Sequence, residues 1–119
     1  MRDFKKLEIW KNGITIVKHV YGLVQKLPSE EKFGLKSQLS RAAVSVPSNI
    51  AEGCSRNSEI EFKRFLEIAL GSLFEVETQL IISKELKFLD SKKDLKVIFE
   101  LISIESKMIN SLISKIKNS

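Results

Sequence analysis

Apolar residues return every three or four positions along most of this 119-residue chain, the spacing of one face of an α-helix. Leu7, Trp10, Ile14, Val17, Tyr21 and Val24 form a first seam, and Leu35, Leu39, Ala42, Val46 and Ile50 a second. Phe62, Leu66, Ala69, Leu73, Val76 and Leu80 form a third. Leu95, Ile98, Ile102, Ile109, Leu112 and Ile116 form a fourth, with the charged Glu105 as its one interruption. Each of the first three seams runs into residues that stop a helix. Leu27-Pro28-Ser29-Glu30 closes the first, because proline lacks the backbone donor and disfavours a helical residue before it. Gly53-Cys54-Ser55-Arg56-Asn57-Ser58 closes the second, and Ser58 with Glu61 forms a capping box that starts the third. Phe88-Leu89-Asp90-Ser91 closes the third, with Ser91 and Asp94 as candidate caps of the fourth. The pattern predicts helices over about 4–26, 30–54, 59–87 and 91–117. Connections this short make successive helices antiparallel neighbours. The expected fold is all-α, an antiparallel up-down four-helix bundle in a single domain, residues 1–119.

Some residues fall off the seams. Ile9, Ile16 and Leu23 make a second stripe on the first helix, with Val20 and Leu27 beside it, and Leu101, Ile104 and Met108 make another on the fourth. A monomeric bundle needs one stripe per helix. The extra stripes are either a wide core face or a subunit interface, and the interface is favoured because an exposed apolar patch is a liability. Pro47, inside the second seam, is expected to kink its helix and free the carbonyl of Ala43. Gly71 lies mid-helix, where glycine costs about 1 kcal/mol relative to alanine, and implies a close helix crossing. Gln38, Arg41, Ser45, Ser48 and Glu52 form a polar stripe on the second helix, and Glu61, Arg64, Ile68, Ser72, Glu75 and Gln79 a similar one on the third. In a hairpin turning near Asn57, residues whose numbers add to roughly 114–117 share a height. Arg41 then lies level with Glu75, and Glu52 with Arg64. These are either solvated bridges contributing about 0–1 kcal/mol each or a buried or interfacial network that sets register and partner choice. The flanking serines favour the network, with Gln38, Arg41, Ser45, Ser48, Glu52, Arg64, Glu75 and Gln79 as members.

The run Phe33-Gly34-Leu35-Lys36-Ser37-Gln38-Leu39-Ser40-Arg41-Ala42-Ala43-Val44-Ser45-Val46-Pro47-Ser48-Asn49-Ile50-Ala51-Glu52-Gly53 strongly resembles the signature of the 23S rRNA intervening-sequence proteins. The run from Glu61 to Glu75 and the opening residues Phe4, Leu7 and Trp10 resemble the same family. The last helix matches by pattern alone. The resemblance implies a four-helix bundle that assembles as a ring, a homopentamer. It also implies kinship with the accessory variability proteins of diversity-generating retroelements, which are basic, pentameric and bind nucleic acid.

Charge adds a second line of argument. The chain holds 20 Lys plus Arg and 15 Asp plus Glu, a net charge of +5, and a pI near 9.4. Residues 1–36 carry eight basic and four acidic side chains, residues 37–83 four and six, and residues 84–119 eight and five. The basic excess therefore falls on the first and fourth helices. Lys11, Lys18, Lys92, Lys93 and Lys96 are expected to form a diffuse basic surface there, with Arg56 and Lys63 near the opposite end of the hairpin. There is no recognition helix, zinc finger or aromatic RNA-binding strand motif, so contact with RNA or DNA would run through phosphates without base readout. The residue inventory points away from an enzyme. The lone histidine, His19, has no acid or cysteine partner implied by spacing, and the paired Glu-x-x-His motifs of di-iron bundles are missing. Cys54 lies at a helix C-terminus, where the dipole disfavours a thiolate. No catalytic residue, cofactor, metal or small-molecule substrate is expected. A single cysteine, no leader-like apolar segment and no apolar run of about 20 residues point to the cytoplasm, without a membrane role. The expected function is a non-enzymatic homo-oligomer that binds nucleic acid through a basic surface. The alternative is a protein–protein scaffold or adaptor with no nucleic-acid role.

Overall fold

The computed structural model describes residues 2–117, and among them it contains four α-helices and no strand: α1 Glu8–Val24, α2 Leu35–Cys54, α3 Glu59–Glu85 and α4 Lys96–Lys117. Each helix packs on its chain neighbours and α1 also packs on α4, while the backbones of α1 and α3, and of α2 and α4, stay more than 8 Å apart across the core. This cyclic contact order is that of a four-helix bundle around one core.

Local chemistry sets the helix limits. Asp3 accepts the N–H of Lys5 and holds a 3-10 turn over Phe4–Lys6. Leu7 then returns to extended backbone, so the first α-helix starts at Glu8 and not near residue 4. Arg2 ties this leading segment down: its N–H donates to the Cys54 carbonyl, its guanidinium lies 4.0 Å from the Phe62 ring centre, and it pairs with Glu59 at 2.7 Å. The second helix expected from residue 30 begins instead with a 3-10 turn, Ser29–Glu31. Gly34 breaks the path, and the Glu31 carboxylate accepts the Leu35 N–H that opens α2. The capping box forms at the start of α3, where Ser58 Oγ accepts the Glu61 N–H at 3.1 Å and meets its carboxylate at 3.1 Å.

α3 ends in a left-handed residue, Lys87, with φ 66°. Phe88 N–H returns to the Ser83 carbonyl and Lys87 N–H to Lys84, the Schellman arrangement. The fourth helix starts at Lys96, later than the expected 91, because two aspartates build a turn ahead of it. Asp90 Oδ1 accepts the N–H groups of Lys92 and Lys93. Asp94 Oδ2 accepts the Asp90 N–H at 2.7 Å.

The seams of α2 and α3 enter the core as their spacing suggests, with Leu39, Val46, Ile50, Phe62, Leu66, Leu73 and Leu80 fully buried. On α1 the phase is different. Ile9, Gly13, Ile16, Val20, Leu23 and Val24 are buried, whereas Ile14 is 36% and Tyr21 47% exposed. The stripe favoured as an interface lies in the core; of the expected seam Val24 is buried, Leu7, Trp10 and Val17 pack half-buried against the core, and Ile14 and Tyr21 turn outward. Both stripes obey one period, and period leaves phase open. Gly13 helps select the phase: a Cβ there would stand 3.4 Å from both Pro47 Cβ and Glu105 Oε2, so glycine admits α2 and α4 to close range. Gly71 is not at a helix crossing, since a Cβ there would meet nothing within 4 Å. The tight crossing is at Gly53, where a Cβ would lie 2.8 Å from Phe65 Cβ. α2 runs through Pro47 as one helix. No described helix is long and apolar enough to cross a membrane.

Candidate functional site

Three places collect polar chemistry. The first is the end of the bundle where α1 stops, α3 stops and α4 starts. Lys26, Lys84, Lys87 and Lys93 surround a depression of about 670 Å³ whose remaining lining is the turn from Phe88 to Asp94. Both acids of that turn are engaged. Asp90 is occupied by backbone amides. Asp94 meets Lys26 Nζ at 2.5 Å, and this hydrogen bond, with that of the Asp90 amide, holds its carboxyl below the usual carboxylate range. Lys92 and Lys96 are exposed at the same end.

The structure distributes the sequence-selected basic residues over several places. Lys93 joins the depression. Lys18 lines a shallow groove along α1 with Thr15, His19, Gly22 and Lys26. Lys11 is exposed and lies 3.8 Å from Glu8. Arg56 sits at the other end of the bundle, over the Phe65 ring at 4.8 Å and 3.5 Å from Glu52. Lys63, on α3, is half-buried. Sequence reading missed Lys26, Lys84 and Lys87. Lys84 and Lys87 close α3 while Lys26 follows α1, and the fold brings these two ends together.

The second place is the α2–α3 polar stripe. Ser45 Oγ and Ser72 Oγ share a hydrogen bond of 2.8 Å, and Gln79 Nε2 donates to Gln38 Oε1 at 3.2 Å. The numbers of each pair add to 117, inside the interval expected for a hairpin. Asn49 Nδ2 caps the arrangement by donating to Ser45. The charged members behave differently. Arg41, Glu52, Arg64 and Glu75 are exposed, as is Ser48. Among the described residues no ion pair joins Arg41 to Glu75 or Glu52 to Arg64, and Glu52 pairs along its own helix with Arg56. The expected buried ion pairs are therefore not formed within one bundle: level residues on the outer flanks point to water while the uncharged ones between them meet.

The third place is a buried carboxyl. Glu105 is fully buried, and Asn12 Nδ2 donates to its Oε1 at 3.1 Å and to the Leu101 carbonyl at 3.1 Å. Oε2 has no hydrogen-bond partner. Burial pushes the Glu105 carboxyl up to about 7, with the Asn12 hydrogen bond opposing part of the rise. Burial likewise raises the Cys54 thiol above its usual range, which keeps it protonated and unreactive. Among the described residues no group of three or more His, Cys, Asp or Glu side chains is placed to hold a metal ion.

The sequence matches the family model described as 23S rRNA-intervening sequence protein over residues 5–111. The chain belongs to that family. A crystal structure of a protein of unknown function from the S23 ribosomal protein family of Bacteroides thetaiotaomicron is similar to this intervening-sequence protein, with a TM-score of 0.80 at 23% identity. The match covers 88% of this chain and 97% of that one, and it shows a shared fold. No curated protein matches the sequence.

Proposed function

We propose that this chain is a non-enzymatic, self-associating bundle protein of the cytoplasm that holds nucleic acid by its phosphates. The observation that carries the reading is the lysine cluster around the α3–α4 turn. Lys26, Lys84, Lys87, Lys92, Lys93 and Lys96 outnumber the acids Glu85, Asp90 and Asp94 at this end, and Lys87, Lys92, Lys93 and Lys96 are exposed to water. Phosphate binding by lysine needs charge without fixed geometry, and this cluster offers that. Helices that alternate in direction account for the placement. The pairs Ser45–Ser72 and Gln38–Gln79 fit an antiparallel α2 and α3, and the Lys26–Asp94 bridge fits an α1 end beside an α4 start. In a ring of five copies, as the resemblance implies, every cluster stands at one height around the axis and the fields add. Kinship with retroelement accessory variability proteins points the same way.

The test is anisotropy titration of single-stranded RNA and duplex DNA across a salt series. The wild-type chain is expected to bind both and to weaken steeply with salt. Lys87→Glu, Lys92→Glu and Lys93→Glu together should cut affinity at least about tenfold and flatten the salt dependence. Unchanged binding by the triple variant removes this end as the site. Absent or salt-insensitive binding by the wild-type chain leaves the scaffold or adaptor reading in its place.

A further inference from the structure

We infer that Phe33 is a stacking platform for an unpaired base, so that the lysine end of the bundle takes single-stranded nucleic acid in preference to duplex. The inference rests on the phosphate-binding reading and names the form of nucleic acid that this end would hold.

Phe33 is 88% exposed, the most exposed large apolar side chain among the described residues, whereas the aromatics Tyr21 and Phe74 are each 47% exposed. A phenylalanine so placed forfeits the burial that usually holds this residue type in a core. The turn that carries it is ordered. Glu31 N–H donates to the Pro28 carbonyl, Lys32 N–H to Ser29 and Gly34 N–H to Glu31. The Glu31 carboxylate then accepts the Leu35 N–H that opens α2. The chain on both sides of Phe33 is therefore tied down while its ring stands in water. Lys32 Nζ lies over the ring, 5.5 Å from its centre. The exposure leaves the opposite face open to a planar ligand.

The fold sets this ring at the edge of the lysine cluster. Gln38 and Gln79 are in contact, and residues 33 and 84 share their sum of 117, so Phe33 stands about level with Lys84, which lines the lysine-rich depression. Lys26, at the start of the connection that carries Phe33, pairs with Asp94 of the α3–α4 turn. Residues 26–36 hold three lysines and two acids, and residues 84–96 five and three, so this end has eight lysines against five acids. The two chemistries divide the ligand between them. Ammonium groups attract the phosphates of either form of nucleic acid. An aromatic ring gains from a base only where the base is free to leave its neighbours, and it accepts any base because each has a π-face. That tolerance suits a surface without base-edge readers.

Anisotropy titrations with labelled oligothymidylate, the same strand carrying abasic sites, and a duplex of equal length separate the two contributions. The wild-type chain is expected to bind oligothymidylate more tightly than either of the others. Phe33→Leu keeps an apolar side chain and removes the ring. It should weaken oligothymidylate binding by on the order of fivefold or more. The salt slope should stay as it was, because stacking releases no counterions, and so should binding of the abasic strand and the duplex. Phe33→Trp should bind as tightly as wild type, with its added fluorescence quenched by oligothymidylate. If Phe33→Leu binds oligothymidylate as the wild-type chain does, or loses single strand and duplex alike, or if the duplex is the tighter ligand of the wild-type chain, the inference falls and the phosphate reading stands on its lysines. If the wild-type chain binds none of the three probes, both fall. Phosphatidylserine vesicles that capture the wild-type chain but not Phe33→Leu, with oligothymidylate binding unchanged, would overturn the inference in favour of a lipid surface.

Discussion

A carboxyl group at position 105 sits in the core with one hydrogen bond from Asn12 and one oxygen beside Gly13 without a partner. The buried positions of α1, α2 and α3 carry no charged side chain, and the only other titratable group among them is Cys54. The nearest charges in sequence on α1, Glu8 and Lys11, are exposed and lie beside each other, and those on α4, Glu100 and Lys107, are exposed too. Nothing nearby compensates a negative charge on Glu105, so the folded state prefers its protonated form. The folded carboxyl titrates at about 7 against an ordinary 4.5. Stability from this group is therefore fully present below pH 4.5, declines as the pH rises toward 7, and is level above that. The loss across that window is on the order of 3 kcal/mol. Glu105→Gln should abolish this slope and leave the variant more stable than wild type at pH 8, as read from urea unfolding at a series of pH values. A slope that persists in the glutamine variant would assign it to other groups. Asp94 works in the opposite sense: its carboxyl is held low by Lys26 and the Asp90 amide, so its contribution is lost as the pH falls into the acid range.

At the scale of the element, α1 shows how a helix can be legible in period and ambiguous in phase. Leu7, Trp10, Ile14, Val17, Tyr21 and Ile9, Gly13, Ile16, Val20, Leu23 both make acceptable amphipathic seams. Packing against α2 and α4 chooses the second, with Gly13 at the point of closest approach. The two choices differ in what truncation costs. Ile16→Ala should destabilise the bundle by about 2–4 kcal/mol, because its side chain is fully buried and leaves a cavity. Ile14→Ala should change unfolding by no more than about 0.5 kcal/mol and act, if at all, on assembly. Equal losses in denaturant melts would contradict the phase seen here. The other elements were easier to read. α3 buries the seam that its spacing predicts and starts at its Ser58 cap, although Ile60, Phe74 and Ile81 lie exposed off that seam. α4 starts later than its spacing predicts because aspartate serves turns as readily as caps, and Asp90 with Asp94 makes a turn.

At the scale of the whole molecule, the bundle leaves charged residues on its flanks that form no ion pair among the described residues. Arg41 is the clearest case. It lies in the segment that most resembles the family signature, is exposed, and forms no ion pair with Glu75 in one bundle. Arg41→Ala should therefore leave the unfolding free energy of the bundle within about 0.5 kcal/mol of wild type. Sedimentation of the same variant should show weaker assembly if the α2 face is a contact between copies. A large loss of stability with assembly intact would place Arg41 in a network inside the bundle.

Much of this protein is written in local pattern. Helix number, the breaks at Pro28, Asn57 and the Asp90 turn, the cap at Ser58 and the family motif on α2 can all be read along the chain, because each depends on residues within a few positions of one another. Even the height of contacts between α2 and α3 follows from equal rise on two arms of a hairpin. What residues far apart in sequence do to each other was not legible. The phase of α1, the burial of Glu105 beside Asn12, and the meeting of Lys26, Lys84, Lys87 and Lys93 each require helices that are distant in the chain to be brought side by side. Periodicity says which residues share a face. Only packing, through the fit of Gly13 to Pro47 or Gly53 to Phe65, says which face turns inward and which charges are left exposed.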